Sequence, residues 1–379
     1  MKPTQKRSIG GFPGRILAKA PKTDNLDEAF GMDIPIDKRF TDPEMQSRLD
    51  RRMSDTQTPR EKKAGSYIHK SNIIKSDDPN DGWDLNKLRE LITTRPRTLL
   101  DTNAKLYKSK LYDEVMYDIT LPALRSIVVD EKTNEFVEVT TCPMAGSCQL
   151  DCYARKGGYV MFPASSIAGA RSLNFLLNDP TGYFEMVQKE IDEIRKKAQK
   201  LKNTIVVRWH DAGDFFSKQY VDMAFDIAKN NPDIRFYAYT KMADVATMAH
   251  PVNFMFNFSE GAKRSEIIKI GKAVDSGKII KRAFIVPKEL FFDLIQRKGN
   301  TIIKDEKGRT QFKDEASFGV FRDRLAKQYK VDPNTIISYD QMLKTPLGDT
   351  PKWSVVVQPG AGDRAAQRKD VINSFLMWH

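Results

Sequence analysis

Cysteine is scarce in this chain of 379 residues: three occur, Cys142, Cys148 and Cys152, all in one short segment. An odd, clustered set is a poor disulfide framework for a protein of this size, which argues against a disulfide-stapled secreted scaffold. Histidine is nearly as rare, with His69, His210, His250 and His379 the full complement. No apolar run reaches the roughly 18 residues that a membrane-spanning helix needs. The segment Met1–Gly14 is basic but lacks the apolar stretch of a secretory signal. Internal repeats and low-complexity tracts are also missing. These absences make the cytoplasm the expected compartment, with no membrane partner.

Positive charge is abundant. The net charge of +12 and a pI near 9.3 favour anionic partners. Nucleic acid is foremost among them, because Lys and Arg that displace condensed counterions gain affinity for a phosphate backbone. A basic tail on a neutral enzyme would give the same total, so charge selects a partner class and not a substrate. Residues 1–81 are rich in Lys, Arg, Asp, Pro and Ser, with few periodic apolar positions, and read as a largely disordered basic extension. Residues 82–135 read as a lead-in segment packed on the core. Its helix over Trp83–Thr93 carries Leu85, Leu88 and Leu91 at helical spacing and stops before Pro96.

In residues 136–379 strands and helices alternate. The expected strands are Phe136–Thr140, Thr204–Arg208, Ile234–Tyr239, Phe254–Phe258, Ala283–Val286 and Ser354–Val357, each rich in β-branched or aromatic residues. Helices are expected near Ser166–Leu177, Tyr183–Leu201, Lys218–Lys229, Ala243–Met248, Glu266–Ala273 and Phe318–Tyr329. This order implies an α/β fold with about six parallel strands joined by right-handed crossovers, a partial (β/α) barrel. An open doubly wound sheet would satisfy the same order.

Cys142 leads a loop with Pro143 and Gly146, after which come Cys148 and Cys152. Such a loop can bend three soft thiolates onto one metal centre, making these cysteines the candidate metal ligands. Buried unreactive cysteines would more naturally be scattered. Structural zinc usually takes four protein ligands, and the fourth would have to be one of the four histidines. A [4Fe–4S] cluster on three cysteines instead keeps one iron open for a small molecule.

Polar groups gather where the expected strands end, the place where parallel α/β folds build ligand sites. The second strand runs through Arg208 into His210, Asp211, Gly213 and Asp214, a cation, a titratable base and two carboxylates within one turn. His210, Asp211 and Asp214 are the candidate catalytic groups. Ser217 and Asp214 could instead cap the next helix and satisfy loop amides. Lys241 could hold a carboxylate or phosphate, Thr240, Asn257 and Ser259 stand on the same rim, and Gly360 and Gly362 would let the backbone approach a ligand closely. Tyr153, Tyr159, Phe162, Trp209, Phe215 and Phe216, interleaved with Arg155, Lys156 and Arg171, could stack unpaired bases or simply fill the core.

The cysteine loop, with Tyr153 and Ala154 after its last thiol, resembles the cluster loop of radical S-adenosylmethionine enzymes, where shorter spacings are usual. The stretch Cys142–Lys241 is similar more closely to the phage gene-product-88 family. That family pairs such a loop with a His-Asp-x-Gly-Asp-Phe segment, here His210–Phe215, and a Tyr-Thr-Lys segment, here Tyr239–Lys241. The first resemblance implies a [4Fe–4S] cluster and S-adenosylmethionine, with Asp211, Gly213 and Asp214 near the cofactor's amino group. Cofactor-binding candidates are then Tyr153, Arg208, Gly213, Lys241, Ser259, Gly360 and Gly362. The resulting expectation is a radical-type iron–sulfur enzyme acting on a nucleotide or nucleic acid, in the host cytoplasm if phage-encoded. Its alternatives are a zinc-containing nucleic-acid-modifying enzyme (base exchange or hydrolysis, His210 serving as fourth ligand or base) and a zinc-stapled nucleic-acid-binding protein.

Overall fold

The computed structural model of the chain describes residues 34–54, 83–102, 106, 114–150, 152, 154, 163–306 and 308–377, with backbone alone at 51–54 and 163–166. The first elements are β1 (Ile36–Phe40), α1 (Asp42–Ser54), α2 (Leu85–Thr93), β2 (Leu100–Asp101), β3 (Glu114–Ile119), β4 (Arg125–Asp130) and β5 (Glu135–Thr140). Next come α3 (Pro163–Asn178), α4 (Pro180–Leu201), β6 (Thr204–Trp209), α5 (Lys218–Asn230), β7 (Arg235–Thr240), α6 (Ala243–Thr247), β8 (Phe254–Ser259), α7 (Arg264–Asp275) and β9 (Arg282–Val286). The remainder is β10 (Arg297–Lys298), β11 (Thr301–Ile302), α8 (Glu315–Tyr329), β12 (Ile336–Ser338), α9 (Tyr339–Lys344), β13 (Trp353–Val357), α10 (Arg364–Gln367) and β14 (Val371–Met377).

The main sheet has nine strands in the order β12-β13-β14-β9-β8-β7-β6-β3-β2. Every neighbouring pair in it is parallel except β2 with β3. The parallel part is therefore larger than the expected six strands, and among the described residues no ladder joins the edge strands β12 and β2 into a closed barrel. β14, the last strand along the chain, sits between β9 and β13. The β8–β9 ladder holds only Phe258 opposite Arg282 and Ser259 opposite Ala283, so β9 runs on past the end of β8.

Two expectations are corrected here. Phe136–Thr140 is not the first strand of the parallel sheet; it falls in β5, the centre of a separate antiparallel sheet ordered β1-β5-β4. The first parallel strand is β3, which precedes position 136 and pairs with β6 from Glu114 opposite Thr204 to Ile119 opposite Trp209. Part of the supposedly disordered extension is also folded. Met45 and Leu49 on α1 are fully buried with Phe40, Trp83, Leu88, Ile92 and Phe136. Each such side chain is worth roughly 1.5–3 kcal/mol when removed from water. Residues 1–33 and 55–81 of that extension lie outside the described residues.

Local chemistry starts the helices. Asp84 accepts from the Lys87 amide at the start of α2, and Asp179 accepts from Gly182 before Pro180 opens α4. Ser217 accepts from the Tyr220 amide at the start of α5. Along β6 the side chains alternate, as strand geometry requires. Ile205, Val207 and Trp209 join the core beneath α4 and α5, while Val206 faces the opposite side with Met116, Tyr237, Met255 and Ala366. No helix among the described residues is long and apolar enough to cross a membrane.

Candidate metal centre and strand-end site

The cysteine loop lies across the C-terminal ends of the parallel strands and is tied down on two sides. Near β3 and β6, the Asp214 amide donates to the Thr141 carbonyl at 2.9 Å, and the Thr141 hydroxyl donates to the Pro122 carbonyl at 2.6 Å. At the end of β8, the Gly146 and Cys148 amides both donate to the Gly261 carbonyl, at 2.9 and 3.3 Å. A Cβ on Gly146 would stand 2.2 Å from the Ala262 carbonyl oxygen, so only glycine permits this crossing. Gly261 is constrained in the same way, since its Cβ would meet that of Cys148 at 2.8 Å.

Gly213 then aims Asp214. Its φ of +89° and the 2.8 Å approach of a would-be Cβ to the Leu121 side chain demand glycine. Asp214 is fully buried and accepts from the Phe215 amide and the Lys241 amide, both at 2.8 Å. Burial raises its pKa, while the Lys241 charge and these amides pull it back.

Three unbridged thiols share this neighbourhood. Burial pushes Cys142 up to about 12; Lys241 lowers it, and Asp214 and Cys152 raise it. Cys148 is raised for the same first reason and feels Lys241, Cys152 and Asp214. Lys241 responds in mirror image: burial opposes its charge, but Asp214, Cys148, Cys142 and Cys152 outweigh that and raise its pKa. Cys142 and Cys148 are thus soft donors beside a cation, protonated until something positive replaces their protons. Among the described residues, no three His, Cys, Asp or Glu side chains converge closely enough to hold a metal ion. The flanks of Cys152 (Asp151, Tyr153 and residues 155–162) lie outside the described residues, as does Tyr153's expected cofactor role. The expected base-stacking residues Arg155, Lys156, Tyr159 and Phe162 fall in the same segment, whereas Trp209, Phe215 and Phe216 are buried in the hydrophobic core and fill it instead. Arg171 lies on α3 and donates to the Leu91 carbonyl at 2.6 Å.

The other predicted groups go elsewhere. His210 has a left-handed φ of +70°, which breaks the strand alternation and turns its ring into the aromatic core, 4.5 Å from Phe215. Its Nε2 is 2.7 Å from the Tyr220 hydroxyl, which itself accepts from Trp209, so the hydroxyl proton is best assigned to Nε2. Nδ1 is buried and has no hydrogen-bond partner among the described residues. Burial, reinforced by Arg208 and Lys241, lowers the His210 pKa to about 3.

Arg208 and Asp211 belong to a buried ion network. Arg208 donates to Asp363 at 2.7 Å and pairs with Asp211 at 2.9 Å, and the Tyr237 hydroxyl donates to the same Asp363 oxygen at 3.1 Å. Gly360 and Gly362 serve chain-to-chain contact: a Cβ on Gly360 would lie 2.4 Å from the Gly308 carbonyl oxygen, and one on Gly362 would lie 3.2 Å from the Tyr339 hydroxyl. Ser259 ends β8, where its carbonyl accepts from the Ala262 amide at 3.2 Å. The structure therefore brings Cys142, Cys148, Cys152, Asp214 and Lys241 together, and separates from them the His210 core position and the Arg208–Asp363 network. Asp363 and Tyr237 were not among the predicted site residues. The one sequence signal for Asp363 was its place after the glycine loop that follows β13.

A family model described as Gene product 88 matches residues 97–331, more than half of the chain. The Gene 88 protein of Mycobacterium phage L5 is 31% identical over 112 residues, which cover 29% of this chain and 46% of that protein. The chain thus spans about half the length of the curated relative it matches. No solved structure matches. The family match takes in the cysteine loop, Asp214 and Lys241 alike, and the chain belongs to the phage gene product 88 family.

Proposed function

We propose that this protein is an iron–sulfur enzyme of radical S-adenosylmethionine-like type that acts on a nucleotide or nucleic acid in the cytoplasm. The carrying observation is the placement of three unbridged thiols, a partly buried lysine and a buried aspartate in one neighbourhood at the C-terminal ends of parallel strands. The donor chemistry fits a thiolate-bound cluster, which Cys142, Cys148 and Cys152 would hold. When bound, a [4Fe–4S] cluster would supply an open iron site and an electron for reductive cleavage of S-adenosylmethionine. The chain's own residues supply the setting. Lys241 offsets part of the negative charge that three thiolates bring, and Asp214 is an acceptor fixed by two amides. Burial of Cys142 shields that side from water.

The test is anaerobic purification with iron, sulfide and zinc analysis and an absorption spectrum. Iron and acid-labile sulfide near four per chain are expected, lost in the Cys142→Ser and Cys148→Ser variants. Colourless protein carrying one zinc per chain would overturn the reading.

A further inference from the structure

A cleft of about 350 Å³ opens beside the cysteine loop, where β9 extends past the end of β8. That is within the roughly 300–1,000 Å³ range of small-molecule sites. Ser147, the neighbour of Cys148, forms one wall with Gly261; Tyr329 and Lys330 from the end of α8 form the other. The floor carries Glu260 and Arg282, paired at 2.7 Å, with the Arg282 guanidinium 4.6 Å from the Phe284 ring centroid.

The cleft offers unused bonding capacity. The Oε1 atom of Glu260 takes both bonds from Arg282, and its second oxygen has no hydrogen-bond partner among the described residues. Because the Ala283 carbonyl accepts from Glu260 on the β8 side, strand alternation turns the Ile285 N–H and C=O to that side too. No strand stands opposite them among the described residues, and Ile285 is 45% exposed. Lys330 is exposed and pairs with no described carboxylate. Arg282, Glu260 and Lys330 together leave one net positive charge. A planar group with donors and acceptors on its edge and an attached anion satisfies all of these features.

We propose that this cleft binds a nucleotide, its base edge against Glu260 and Ile285 and its phosphate toward Lys330, next to the thiol loop. This deepens the iron–sulfur reading by naming where the substrate lies, and so rests on it for its catalytic meaning. Calorimetry on the full-length protein, with iron measured in each sample, should be run with the four deoxynucleoside monophosphates and with a short single-stranded oligonucleotide. Binding of a monophosphate supports a free nucleotide, and binding of the oligonucleotide alone supports a nucleotide within a strand. Lys330→Gln and the cleft-filling Ile285→Trp should each weaken the binding at least about tenfold, a loss of about 1.4 kcal/mol. Lys344→Gln, an exposed charge change on α9, should leave it unaltered. Absence of binding by every probe, or binding indifferent to both cleft variants, overturns the proposal. Iron without nucleotide binding would sink this inference alone; nucleotide binding without iron would sink the cluster reading alone.

Discussion

His210 offers a direct test of the strand-end chemistry. Its pKa falls from 6.5 to about 3 in the fold because burial, then the charges of Arg208 and Lys241, disfavour the imidazolium. A depressed pKa means that the unfolded chain binds the proton first. The stability this residue contributes is therefore complete above pH 6.5 and drains away as pH falls toward 3. With one proton at stake, the loss is about 1.4 kcal/mol between pH 7.5 and pH 5.5, and roughly 2.7 kcal/mol by pH 4.5. His210→Asn removes the titration, keeps an acceptor for Tyr220 and tolerates the positive φ. Urea unfolding of both proteins across this range isolates the residue, because all carboxylates titrate in both. The stability difference between wild type and variant should shrink by about these amounts as pH falls. A difference independent of pH would refute the buried neutral imidazole. It would also return His210 to the list of groups able to exchange protons near neutrality.

Two other perturbations read the neighbouring architecture. Arg208→Met leaves Asp363 and Asp211 buried without their cation, so denaturant unfolding should show a loss of about 3–5 kcal/mol; a loss under about 1 kcal/mol would contradict the ion network. Gly213→Ala and Gly277→Ala share the same backbone penalty at φ +89° and +87°, but only the first Cβ meets a neighbour, at 2.8 Å. Gly277→Ala should cost about 1 kcal/mol and Gly213→Ala at least about twice that, measured by the same unfolding assay, and equal costs would contradict the Leu121 contact.

The parts of the site visible in the sequence were those fixed by short-range order. Cysteines sharing one loop must stay near one another, and Asp214 and Lys241 follow strands whose runs of Val, Phe and Tyr are plain. What the sequence hid depended on contacts across the chain. β3 carries Glu114 and Asp118, buried charges that disguise a strand of the parallel sheet until Arg235 and Arg364 are seen to meet Glu114. Met45 and Leu49 make only a thin stripe on a charged helix, and nothing local shows that Phe136 and Trp83 wait to cover it. β12 has three residues, too few for any periodicity, and β14 breaks its apolar run with Asn373 and Ser374. The turn of His210 was equally illegible, because a positive φ in a residue other than glycine leaves no mark on the sequence. Arg208 meets Asp363 across 155 positions, a pairing that only the closed fold creates.

The place of β14 also has a consequence for assembly. A ribosome delivers β9 well before its eventual neighbour, and until Val371–Met377 emerges the sheet exists as two unjoined pieces, one ending at β9 and the other made of β12 and β13. The exposed flank of β9 is then a temporary template for any other strand. The order of synthesis thus sets a window of vulnerability to mispairing that ends only when this late strand is inserted.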